Sequence, residues 1–169
     1  MKIIQATTNN LIEINFLIFE LNHFSKNEKC NYEKYNSNKL PTLTDINTEI
    51  ANKNMFILQH KRSCLAAIIL NKEIDFPDNN INWKNTNEQY LSLNHIIIHP
   101  YSQNKGLEKQ LIDFAIEKVK KENYKSLRFK AYGNNKQYIE ICNNSGFEKT
   151  GKFFYPKQEA PFYCYEKMV

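Results

Sequence analysis

The residues whose types and spacing could do chemistry lie between Tyr90 and Leu111, in the run YLSLNHIIIHPYSQNKGLEKQL. Its first part reads as a buried strand ended by His99-Pro100, because proline cannot continue a strand ladder and pushes its predecessor to an extended shape. The polar turn Gln103-Asn104-Lys105-Gly106 follows, and Leu107 and Glu108 then open a helix. A strand, a tight turn and a helix start leave backbone N–H groups without partners at the positive end of the helix dipole, which makes an anion site. Lys105 adds a positive charge at its mouth. His95 is the titratable side chain on the strand, with an ordinary pKa suited to taking a proton from an ammonium, directly or through water. On a regular strand Asn94 and His95 point to opposite faces, so only one looks into a cleft. The spacing His95-x-x-x-His99 offers two metal ligands, but a zinc site needs more and none stands nearby in sequence, so no metal is expected.

Regular elements must position this segment. Lys2 to Gln5 reads as a strand, and Leu11, Ile14, Leu17, Ile18, Leu21 and Phe24 recur at helical spacing. Thr42 and Asp45 mark the start of a short helix carrying Ile46 and Ile50. Met55 to Leu58 and Cys64 to Leu70 form a hairpin about the turn His60 to Ser63. Asn71 to Gln89 is a long loop whose lone Trp83 is either a packing anchor or a substrate contact. After the strand Tyr90 to Ile98, Leu107, Leu111, Phe114, Ala115 and Val119 define the clearest helix. Leu127, Phe129 and Ala131 alternate with Arg128, Lys130 and Tyr132 as a half-buried strand. A helix from about Asn135 to Asn144 stops at Gly146, and two strands close the chain. The order is β-α-α-β-β-β-α-β-α-β-β, an α/β or α+β layer fold in one domain over residues 1–169.

Composition narrows the function. Four glycines among 169 residues cannot assemble a dinucleotide or P-loop fingerprint. A net charge of +5 suits anionic ligands such as phosphorylated cofactors. The lysines are interleaved with Glu and Asp, so a solvated basic surface is expected rather than a nucleic-acid footprint. Four cysteines without a C-x-x-C pair, behind a start that reads Met-Lys-Ile-Ile-Gln, suggest reduced thiols in a cytoplasmic protein. No apolar run approaches the roughly 20 residues of a membrane span.

The strand, turn and helix at Ile98-His99-Pro100-Tyr101-Ser102-Gln103-Asn104-Lys105-Gly106-Leu107-Glu108 resemble the cofactor motif of the GNAT superfamily of acyl-CoA-dependent N-acyltransferases. Asn135 and Gly146-Phe147 fit the spacing of a second motif of that family, and the likeness extends over nearly the whole chain. The resemblance implies a mixed, twisted sheet with helices on both faces and splayed central strands. It implies acetyl-CoA as cosubstrate, its pantetheine laid along Ile96, Ile97 and Ile98 as an added strand. Its pyrophosphate would rest on the turn from Gln103 through Asn104, Lys105, Gly106 and Leu107 to Glu108, and Asn135 would contact the cofactor from the second helix. A strand N–H would stabilise the oxyanion formed when an amine attacks.

Three positions depart from the family pattern. Glu108 replaces a Gly or Ala; it is either a first-turn carboxylate that complements the dipole and points outward, or a charge that weakens cofactor binding. Cys142 stands where such proteins carry the tyrosine that protonates the departing thiolate. A thiol of pKa about 8.5 can deliver that proton, and the other reading is a small buried hydrophobe. Tyr138, one turn earlier where such proteins have a small residue, is a further candidate. No carboxylate stands on the central strand, so His95 is either the candidate base or a core or surface histidine satisfied by hydrogen bonds.

The expected activity is transfer of an acetyl or short acyl group from coenzyme A to a primary amine on a small molecule or peptide. The alternative is a non-catalytic acyl-CoA-binding or partner-binding module. No nucleic-acid or membrane partner is expected, and a homodimer is allowed. Ser25 to Leu40, Asn71 to Gln89 and the closing strands are expected to shape the acceptor pocket, with Glu73, Asp75, Asp78 and Glu88 making the loop locally acidic.

Overall fold

The computed structural model describes residues 1–27, 40–74, 81–156 and 159–169. Cys30, Asp75, Pro77 and Asp78, and with them much of the two segments expected to shape the acceptor pocket, lie outside the described residues.

The elements are β1 (Lys2–Gln5), α1 (Leu11–Asn27), α2 (Leu43–Ala51), β2 (Met55–His60), β3 (Ser63–Asn71), β4 (Tyr90–Ile98), α3 (Leu107–Lys121), β5 (Ser126–Tyr132), α4 (Lys136–Asn144), β6 (Glu148–Phe153) and β7 (Phe162–Met168). They follow the order read from periodicity. The strands form one seven-stranded sheet in the order β1-β2-β3-β4-β5-β7-β6. Only the β4–β5 pair is parallel, with α3 as its crossover.

Period-2 alternation sends side chains to two cores. Met55, Ile57, Ala67, Ile69 and Ile97 pack with Ile14, Leu17 and Leu21 of α1 and with Ile46 and Ile50 of α2. Phe56, Leu58, Ile68, Leu91, Leu93, Leu127 and Phe129 pack with Leu107, Leu111, Ile112, Ala115 and Val119 of α3 and with Cys142 of α4. Thr42 caps α2 by accepting from the Asp45 N–H at 3.2 Å, while the Asp45 carboxylate accepts from the Thr42 hydroxyl at 2.7 Å and its N–H at 2.8 Å.

β5 corrects the reading of a half-buried strand, since all seven of its residues are buried. Its polar face is covered by the segment around Trp83. The Arg128 guanidinium lies 4.4 Å from the Trp83 ring centroid and 3.9 Å from that of Tyr90. Its Nε donates to Glu166 Oε1 at 2.9 Å, and its NH2 group donates to the Asn85 carbonyl. Glu166 also accepts from the N–H groups of Lys84 and Asn85 and from the Ser126 hydroxyl. Trp83 is thus a packing anchor that pins the loop to the sheet.

Candidate active site: the split between β4 and β5

Four rungs join β4 to β5, from Tyr90–Ser126 to Leu93–Phe129. Beyond them β5 continues only with β7, through Lys130–Cys164 to Tyr132–Phe162, and β4 only with β3, through His95–Ile69 to Ile98–Ala66. The two strands part after Leu93 and Phe129, leaving a cleft between Asn94–Ile98 and the end of β5. Alternate N–H and C=O groups of that stretch point away from β3 and carry no ladder bond on the cleft side.

A bulge at Asn94 marks the split. Leu70 pairs with Leu93 and Ile69 with His95, so Asn94 is the surplus residue. It is held by its side chain: Nδ2 donates to Asn71 Oδ1 at 2.5 Å and to the Glu73 carbonyl at 3.1 Å, and Oδ1 accepts from the Ser92 hydroxyl at 3.2 Å. Asn71 in turn donates to Glu49 of α2 at 3.0 Å. The extra residue inverts the alternation, so that Leu91 and Leu93 share the α3 face with Ile98, and Ile97 joins the α1/α2 core. The reading that Asn94 and His95 face opposite ways is therefore corrected. Both look to the α1/α2 side, where His95 faces α2. The Asp45 carboxyl is held below its ordinary value chiefly by the Thr42 hydroxyl and N–H, and to a smaller degree by the His95 imidazole.

At the far end of β4, Pro100–Ser102 forms a short 3-10 turn and the chain swings into α3. Asn104 at φ 58° and Gly106 at φ 76° make the swing, and Gly106 occupies the N-cap of α3 in the left-handed region that favours glycine. Gly106 has no side chain to cap the helix, and Gln110 donates to its carbonyl at 3.2 Å. The N–H groups of Leu107, Glu108 and Lys109 are thus the open donors of the helix start. Lys105 is exposed beside them, as are Asn104 and Gly106, while Gln103 is half-buried. The side chains of Leu107, Ile97 and Ile98 are buried in the cores, so these residues can serve a ligand only through their backbones. Ile96 is half-buried.

Glu108 turns inward, which corrects the outward reading. Its Oε2 is buried without a hydrogen-bond partner, and its charge acts on Tyr138 of α4. Burial, then the Cys142 thiol and then Glu108 push the Tyr138 phenol well above its ordinary value. The Tyr138 ring stands edge-on to Phe129 at 5.7 Å, which places it at the apex of the split on the α3/α4 side. Asn135 caps α4, its Oδ1 accepting from the Tyr138 N–H at 3.0 Å, which leaves its NH2 group for a ligand. Cys142 is wholly buried among apolar neighbours, and burial pushes its thiol up.

Lys130, which was not among the expected site residues, is the first residue of β5 past the split. It is buried and its Nζ donates to the Tyr155 hydroxyl at 2.9 Å. Its place two residues after Arg128, on the same face of β5, was the available signal. Among the described residues no three His, Cys, Asp or Glu side chains gather to hold a metal, and no helix is long and apolar enough to cross a membrane.

The seven-stranded sheet with its helices superposes on GNAT acetyltransferases, and this chain has that fold. A GNAT-family acetyltransferase from Listeria monocytogenes 4b F2365 superposes with a TM-score of 0.75 at 17% identity, over 99% of this chain and 94% of that one. The ribosomal-protein-alanine N-acetyltransferase from Brucella melitensis gives 0.72 at 14% identity and covers 100% of both chains. The ribosomal-protein-S18-alanine N-acetyltransferase from Escherichia coli gives 0.63 at 16%, over 99% of this chain and 93% of that one. No family model matches the sequence, and no curated protein matches it either.

Proposed function

We propose that the protein transfers an acetyl or short acyl group from coenzyme A to a primary amine. The observation that carries this reading is the unpaired edge of β4 running from the apex of the split to the open N–H groups of Leu107, Glu108 and Lys109. That edge fits an extended amide-bearing arm, and the donors with Lys105 fit a diphosphate. When bound, acyl-CoA supplies the thioester carbonyl and the thiolate leaving group.

The chain's own groups then divide the work. The β4 edge orients the arm, and a backbone N–H of β4 near the bulge donates to the oxygen that gains charge as the amine attacks. His95, on the opposite face, receives the amine's proton directly or through water. A thiolate of basicity comparable to a free cysteine's, pKa about 8.5, leaves without a dedicated acid. That relieves Cys142 of the task, for which its burial and firmly held proton suit it poorly, and it serves the core.

A second reading, an acyl-CoA-binding module without turnover, is favoured by the inward carboxylate of Glu108 beside the diphosphate turn. Thermal unfolding with acetyl-CoA, paired with thiol release over an amine panel, decides between them. A ligand at about a hundred times its Kd stabilises by about 2.7 kcal/mol. Stabilisation with thiol release supports the enzyme and stabilisation alone supports the module. An unshifted transition with no thiol release defeats both.

A further inference from the structure

Asn94 is one end of a polar chain that crosses from the split to α2. Its Nδ2 spends both hydrogens, on Asn71 Oδ1 at 2.5 Å and on the Glu73 carbonyl at 3.1 Å, and its Oδ1 accepts from the Ser92 hydroxyl. Asn71, 7% exposed at the end of β3, passes the chain on. Its Oδ1 also accepts from the Glu73 N–H at 2.9 Å, and its Nδ2 donates to Glu49 Oε1 at 3.0 Å. The other Glu49 oxygen accepts from Asn54 Nδ2 at 2.8 Å. The chain has a direction. An ionised carboxylate can only accept, so Glu49 compels Asn71 to turn its NH2 group toward α2 and its carbonyl toward Asn94. Asn94 must then offer its own NH2 group, which leaves its carbonyl for Ser92. Each amide has one orientation that satisfies its neighbours, and the charge on α2 selects it.

What the chain holds is a register. Slipping β4 by one residue against β3 would erase the bulge and carry every following side chain to the opposite face. His95 follows Asn94 directly, and the unpaired edge that supplies strand N–H groups to the cleft begins at the same point. Holding Asn94 by its side chain therefore holds both. We propose, on the acyltransferase reading given above, that Glu49 and Asn71 are positioning residues for the transfer: the chain Glu49–Asn71–Asn94 keeps the bulge in one register and so sets the oxyanion donor and His95 in place together. Both act through Asn94 rather than on a substrate. The open N–H groups of α3 lie at the far end of β4, so affinity for acyl-CoA is not theirs to set.

Exchanging the two groups tests the chain. Glu49→Gln leaves two amide donors, from Asn54 and Asn71, facing one acceptor, and Asn71→Asp sets two carboxylates against each other. In the double variant Glu49→Gln/Asn71→Asp the match returns: the new amide donates to the new carboxylate and still accepts from Asn54, while that carboxylate accepts from Asn94 and Glu73. Thiol release from acetyl-CoA is measured with the fastest amine of the panel, well below each variant's unfolding midpoint. Each single variant is expected to lose about ten- to a hundredfold in kcat with the KM for acetyl-CoA within about threefold of the wild type's, and the double variant to recover kcat to within about threefold. Glu49→Gln, isosteric and half-buried, keeps the comparison available if Asn71→Asp unfolds. A chain that serves stability alone would lower the midpoint and leave kcat at the wild-type value. That result overturns the proposal, as does a double variant as slow as the single ones, and both leave the acyltransferase reading standing. A wild-type protein that releases no thiol from acetyl-CoA with any amine overturns both.

Discussion

Arg128 and Glu166 face each other on adjacent strands, and the guanidinium meets the carboxylate at 2.9 Å with both side chains almost wholly buried. The pair draws in Asn85, Ser126, Trp83 and Tyr90, and so ties the end of the 71–89 loop to the paired half of β4 and β5. Breaking one partner leaves a buried charge uncompensated. Arg128→Met or Glu166→Leu alone is expected to cost about 3–5 kcal/mol in urea unfolding. The double variant should recover only part of this, since the Lys84 and Asn85 N–H groups and the Ser126 hydroxyl would still lack their acceptor.

His95→Ala is expected to lower kcat about 10²- to 10⁴-fold while leaving the KM for acetyl-CoA unchanged. The residual rate should climb with pH, because without a base the reaction depends on amine that is already deprotonated. Steady-state kinetics over a pH series checks both parts, and a flat pH profile in the variant would count against His95.

Thr42 and His95 hold the Asp45 carboxyl below its ordinary value. A folded-state value below the unfolded one stabilises the protein above the unfolded value of about 3.9, and that gain fades as the pH falls through the folded value. Asp45→Asn should therefore lower the urea midpoint at neutral pH, and the difference should shrink as the pH falls through the folded value.

Gly106→Ala would meet no neighbour, because nothing lies within 4 Å of the added carbon. Its cost comes from the left-handed backbone alone, about 1–2 kcal/mol. A thermal midpoint equal to the wild type's would show that the turn relaxes. If the turn holds the diphosphate, Gly106→Ala also weakens acetyl-CoA binding.

Burial pushes the Cys64 thiol up to about 12, with the Glu13 charge adding to it, and pushes Cys142 higher still. Both should resist alkylation in the native protein at about pH 8 and react on unfolding, as peptide mapping after iodoacetamide treatment would show. Cys142→Ala should keep its activity apart from a modest loss of stability, whereas Cys142→Tyr overfills the core and unfolds the protein more readily.

Strong periodicity made β4 and α3 readable in advance, and the turn between them was readable from Gly106. The bulge was not. Three isoleucines in a row, Ile96 to Ile98, suit either face of a strand, so nothing in their order betrays that Asn94 is surplus and that His95 has changed sides. Arg128 looked like a solvated residue because its covering comes from Trp83, more than forty positions upstream. The inward direction of Glu108 depends on what the fold packs against the start of α3, which no local pattern contains.

The bulge has a further consequence. A recess opened by one surplus residue and lined by main-chain groups depends on chain length more than on side-chain identity. Most of its lining can drift, residue by residue, without the recess closing, provided that strand lengths and one left-handed turn persist. A fold of this kind can therefore be held in common at low identity, as the 14–17% identity beside a TM-score above 0.7 for two of the superposed structures shows.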